Sequence, residues 1–169
     1  PTATAAPTAV DLLPAFDGGT NTADDVTNRN NATPAAALRF AVTGTTPGAV
    51  VTLYADGVAV GSAVATGTTT EVLTFGTAAL ADGVRGITAR QTVYGVESAD
   101  SAALAVTIDT EGPAAAIAAV TPDPRNSPVE SLAITFDAPV TGFDLGDIGL
   151  SRNGAAVDLA GATLAGSGA

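Results

Sequence analysis

The side chains that could do chemistry here are almost all carboxylates. Asp17, Asp24 and Asp25 fall within one Gly-, Asn- and Thr-rich stretch, FDGGTNTADDVTN. Carboxylate, amide and backbone carbonyl oxygens together suit a hard cation such as calcium. The stretch does not follow the EF-hand spacing, which would place a Glu at its twelfth position. Further along, VTIDTEGP runs from Val106 to Pro113. Asp109 and Glu111 close a good β-strand there, and Gly-Pro stops it. A seam between two modules, with carboxylates available to a metal, accounts for that pattern. The same acids also read as ordinary solvated turn residues that favour loops and solubility, and the sequence leaves both readings open.

Other chemistries lack their groups. The chain of 169 residues has no His and no Cys. Ser-His-Asp and Cys-His catalysis are therefore impossible, and zinc held by His or Cys is excluded. With no Lys, neither a Schiff base nor a P-loop can form. Paired carboxylates could still hydrolyse a glycoside, but such sites normally add aromatic platforms. The aromatics are two Tyr, Tyr54 and Tyr94, and five Phe whose strand-like surroundings place them in the core. The expectation is that the protein is not an enzyme. A formal net charge of -11 repels phosphate backbones and anionic lipid, so neither nucleic acid nor a membrane surface is an expected partner. No apolar run reaches the roughly 18 residues that span a bilayer, so no membrane insertion is expected.

Short strands must position these acids. Gly and Pro punctuate the chain, and Val and Thr crowd the stretches between, which favours pleated structure over helix despite the Ala content. Residues 1–9, PTATAAPTA, read as a linker or N-terminal tail. Strands are predicted at 10–13, 38–43, 50–55, 58–64, 71–75, 86–93 and 102–108. Leu38, Phe40 and Val42 alternate onto one face, as do Val51, Leu53 and Ala55. Asp56-Gly57 suits a two-residue type I′ hairpin turn. Seven short strands in about 100 residues is the count of an immunoglobulin-like β-sandwich. Residues 10–110 form that module and 111–113 the interdomain linker. Residues 114–169 then read as a partial second Ig-like β module, with strands in AAIAAVTP and SLAITFDAPV and a turn at Asn153-Gly154. The fold class is all-β. Arg85 and Arg90 are expected on a strand's solvent face. The sequon Asn31-Ala32-Thr33 reads as chance.

LADGVRGITARQTVYGVESADSAALAVTIDTEGP resembles the C-terminal half of the bacterial Ig-like repeats of large surface adhesins and biofilm-associated proteins. The matching features are Leu80, Asp82-Gly83, Ile87-Thr88-Ala89, Gly95, Ser98, Leu104 and the closing Val106 to Thr110 with Pro113. Upstream, Asp17, Gly19, Asp24, Val26, Thr27 and Asn28 are similar to the family's entry loop. Val93-Tyr94 departs from it, standing where the family often carries an acid. In related repeats calcium sits at module junctions. The resemblance therefore implies a role for Asp17, Asp24 and Asp109, with Asp123 and Glu111 as further candidates at the seam. Because entry loop and exit linker are expected at opposite poles of a sandwich, Asp109 is expected to meet the next module rather than Asp17.

Together these readings give a structural spacer of an extracellular or bacterial cell-surface repeat protein, an adhesin stalk or surface filament, with calcium as its cofactor. The alternative is a glycan- or protein-binding accessory module. The short second module is expected to be completed from outside its own sequence, by further chain or by β-strand addition from a neighbouring module or subunit. The N-terminal tail is one candidate donor.

Overall fold

The computed structural model describes residues 3–19 and 21–166. It is all-β, with 36% of residues in strands and 4% in short helical turns. Contacts divide the chain into two compact units, Pro1–Glu111 and Gly112–Ala169.

The first unit contains β1 (Ala9–Leu12), β2 (Val26–Thr27), β3 (Arg39–Thr43), β4 (Val50–Ala55), β5 (Val58–Val64), β6 (Thr69–Leu73), β7 (Gly83–Val93), β8 (Val96–Glu97) and β9 (Leu104–Ile108). They make two sheets. One has the order β1-β3-β6; the other runs β2-β9-β7-β4-β5, with β8 beside β7. Alternation decides which side chains face inward. β3 places Phe40 and Val42 inside, opposite Leu12 and Val10 of β1 and Val72 and Thr70 of β6. β4 contributes Val51, Leu53 and Ala55, which face Gln91, Ala89 and Ile87 of β7. Val106 and Ile108 of β9 close the core. Leu38, Phe40, Leu53, Ile87 and Ile108 are essentially sealed from solvent, and each contributes about 1.5–3 kcal/mol by burial. Of the five Phe, however, only Phe40 lies in this core. Phe75 is half exposed on the loop after β6, and Phe16 packs at the margin between the Arg29 and Arg39 guanidinium groups.

β7 spans the sandwich and defines its two ends. Its start, Gly83, pairs with Ile108; near its end, Thr92 pairs with Val50 and Glu97. The chain arrives at the end marked by Thr92. Thr4 donates its hydroxyl to Val96 O, the Gln91 side-chain amide donates to Ala5 O, and Thr8 N–H bonds Thr43 O. Residues 4–8 are thus laid against the sandwich, with Pro7 buried, and are not a free linker. The chain leaves at the end marked by Gly83. These are the entry pole and the exit pole.

In the second unit β10 (Ala115–Ile117) pairs antiparallel with β11 (Ile134–Phe136), and β12 (Ser151–Arg152) with β13 (Ala155–Ala156) around the Asn153-Gly154 turn. Asp144 and Asp147 form a reciprocal capping box around the helical turn Leu145–Asp147. The Phe136 and Phe143 rings meet edge to face at 5.0 Å. Among the described residues of this unit none is buried.

Candidate functional site

The described residues between Phe16 and Asn28 are sewn to the edge of the larger sheet. Gly18 N–H bonds Val26 O, and the Thr27 hydroxyl donates to Phe16 O. β2 then runs parallel to β9, Val26 beside Thr107 and Thr27 beside Ile108. Thr107 N–H donates to Asp25 O and Asp109 N–H to Thr27 O. The loop therefore flanks the departing strand. The expectation that it lies at the pole opposite the exit is overturned. A parallel strand pair sets its position, and spacing along the sequence does not reveal such a pair.

Within the loop Asp17 and Asp25 come together. Asp17 is only 7% exposed. Its Oδ2 accepts the Asp25 N–H at 3.2 Å, while its Oδ1 is buried with no partner among the described residues. Asp25 adopts a left-handed backbone, φ 57°. Burial, and then the charges of Asp17, Asp11 and Asp24, push its carboxyl above the usual range. Asp24 Oδ1 accepts Val26 N–H in a local turn. The loop thus sets a buried carboxylate oxygen with no partner among the described residues beside a carboxyl that resists ionisation. In donor type this loop fits a hard cation. Yet among the described residues no three acidic side chains converge as a ligand set.

The other candidate acids are not brought into that loop. Asp109 Oδ1 caps Glu111 N–H at 3.2 Å in an exposed turn. Asp123 belongs to the second unit and is exposed. Thr110 instead bonds Asp82, its hydroxyl donating to both carboxylate oxygens at 2.9 and 3.0 Å.

Three polar groups to which the sequence assigned no such role hold the poles. Gln91, fully buried, donates to Ala5 O and Gly44 O and accepts Thr46 N–H, tying the entry pole. Asn31, 1% exposed, accepts Gly76 N–H and donates to Ala78 O, tying the exit pole. That burial disposes of the sequon. Asp56 receives Gly86 N–H and Arg85, which together hold its carboxyl below the usual range. Arg85 shares β7's inward parity with Ile87, so it does not lie on the same face as Arg90. Arg90 lies outside, stacked 4.6 Å from the Tyr54 ring and bonded to Asp100 and Glu97. Tyr54 is thereby covered, and Tyr94 stands alone, fully exposed at the β7–β8 turn.

No described helix is long and apolar enough to cross a membrane. No curated protein matches the chain. A family model described as "Bacterial Ig-like domain" matches residues 3–110, and domains of this family are typically non-enzymatic and often on the surface. The match covers the sandwich with its tethered tail, and the chain belongs to the bacterial Ig-like domain family.

Proposed function

We propose that the protein is a spacer in an extracellular bacterial repeat protein, a stalk or filament segment stiffened by calcium. One observation carries the reading: the chain enters the first unit at one pole and leaves at the other. Modules threaded in this way extend a rod in series. Asp17 and Asp25 would hold the calcium, with Asp24 and Asp11 adding negative charge. The ion would supply the partner that Asp17 Oδ1 lacks and fasten the loop to β9. Asp109, Glu111 and Asp123 remain candidates for a separate seam contact.

The second unit is completed by strands from outside residues 1–169. In support, Phe136, Leu132, Val140, Leu150 and Leu164 line an open apolar groove, and among the described residues β10 and β11 pair only with each other. Open edges of this kind accept a further strand. The tail's bonds within the first unit count against it as the donor. Melting temperature and small-angle scattering, each with calcium and with EGTA, test the metal. At free calcium of about 100 times Kd the gain is about 2.7 kcal/mol, and no response in either measurement removes the ion from the proposal. A glycan array tests the spacer role, since specific sugar binding by the intact chain would replace it.

A further inference from the structure

Asn153-Gly154 is the chain's single Asn-Gly pair. It forms the turn between β12 and β13, with both residues left-handed, φ 53° and 81°. Both are exposed, and no hydrogen bond ties the Asn153 side chain among the described residues. A Cβ at Gly154 would meet nothing within 4 Å, so the turn has open space around it. The hairpin beneath it is slight. Ser151 pairs with Ala156 and Arg152 with Ala155, and Val157 N–H bonds Leu150 O. Every residue from Leu150 to Val157 is exposed. A two-stranded hairpin without a buried face is marginal in water and opens locally at little cost.

The first unit shows the opposite arrangement. Asp17-Gly18, Asp56-Gly57 and Asp82-Gly83 also set a glycine nitrogen beside a side-chain carbonyl, but each is tied. Asp17 is buried, and Gly18 N–H is bonded to Val26 O. Asp56 accepts from Gly86 N–H and Arg85, and Asp82 accepts from Thr110. Asn31 is 1% exposed, with both ends of its amide bonded.

We infer that Asn153 is a self-modification site, where the chain converts its own side chain to aspartate and isoaspartate. The Gly154 nitrogen attacks Asn153 Cγ, its proton passes to the departing amide nitrogen, and ammonia leaves. A five-membered succinimide remains. Water, the only co-reactant, then opens that ring at either carbonyl and restores a carboxylate. Glycine at 154 has no Cβ to obstruct the approach. Closing the ring takes Asn153 out of the turn, so opening of the hairpin sets the pace. Either product adds a negative charge. Isoaspartate also runs the backbone through the side chain, one carbon longer, so the Ser151–Ala156 register cannot re-form. Leu150, at the base of the hairpin, lines the open groove of the second unit. The second unit thus carries a chemical mark of its age beside that groove. The reaction rests neither on calcium nor on a strand in the groove.

The intact chain is aged in mildly alkaline buffer with EGTA and then cut with a Glu-specific protease. Cuts at Glu111 and Glu130 place Asn126 in the peptide 112–130 and Asn153 in 131–169. Asn126 is also exposed but is followed by Ser127. Peptide 131–169 should convert at least ~10-fold faster than 112–130, a barrier difference of about 1.4 kcal/mol. An isoaspartyl methyltransferase should label 131–169 and leave the first-unit peptides unlabelled. Asn153→Gln should abolish the label, since its ring needs a further atom. The free peptide LSRNGAAV gives the unrestrained rate, and the chain should stay within ~10-fold of it. Equal conversion of the two peptides overturns the inference, as does label appearing first at Asp17, Asp56 or Asp82. Label that survives Asn153→Gln also overturns it, and so does a chain far slower than the free peptide, because the turn then protects the bond.

Discussion

Asp25 and Asp56 contribute to the module's response to pH in opposite senses, and Asp100, held low by its hydrogen bond from Arg90, acts in the same sense as Asp56. Asp25 is raised, first by burial and then by Asp17, Asp11 and Asp24. Its contribution is fully present below the unfolded value of about 3.9 and is lost as pH rises through the higher folded value. Asp56 is lowered, first by the Gly86 N–H and then by Arg85. Its contribution is present above about 3.9 and lost as pH falls through the folded value. Asp25→Asn should therefore raise the melting temperature at neutral pH in EGTA and also blunt the response to calcium. Asn tolerates the left-handed backbone there, so thermal melts with and without calcium read the charge alone. Asn31→Ala strands a buried Gly76 N–H and should cost about 2 kcal/mol in urea unfolding. Neither Asn31 nor Gln91 was legible in the sequence, because a buried amide looks the same as a solvated one until its partners are known. Asp17, Asp24 and Asp25 were legible as a group by type and proximity, with Asp17 and Asp24 singled out by the resemblance; that Asp25 is the one bonded to Asp17, and that Asp17 keeps an orphaned oxygen, was not.

At the scale of elements, β4 and β5 follow directly from the sequence. Alternation in β4 and the Asp56-Gly57 turn account for their limits, which are those expected, whereas the register shift between Leu53 and Tyr54 opposite β5 was not expected. β2 and β8 were missed because strands of two residues carry no period. The β1-β3-β6 sheet meets the larger one where Gly61 of β5 bridges Thr74 and Phe75 N–H bonds Val60 O at 2.7 Å. A Cβ at Gly61 would stand 2.7 Å from Leu73 O, a backbone atom that cannot move aside cheaply. Gly61→Ala should cost about 1–3 kcal/mol and lose hydrogen-exchange protection first along β5 and β6.

For the whole molecule, composition and spacing carried the fold class and the first sandwich. They misjudged the tail. PTATAAPTA has the small polar residues of a linker, but Gln91 and Thr43 bond its backbone and Val96 O accepts the Thr4 hydroxyl. Deleting residues 3–8 should lower the melting temperature of the first unit, whereas loss of a free linker would leave it unchanged. The second unit, with no buried described residue, should bind a dye of exposed apolar surface such as ANS. A chain altered to Leu132→Ser and Phe136→Ser should bind much less.

The separation of arrival and departure also fixes how the first unit meets a pulling force. Tension on a rod of such modules would be applied through β1 at one end and β9 at the other. β9 is gripped on both flanks, by β2 running parallel and β7 running antiparallel. Its cross-strand bonds lie across the direction of pull, so the load shears them together and does not peel them open in turn. Peeling would begin at the other end, where Thr4, Ala5 and Thr8 are held by isolated bonds. Under load the first slack released should therefore be the short tail, with the sandwich still intact behind it.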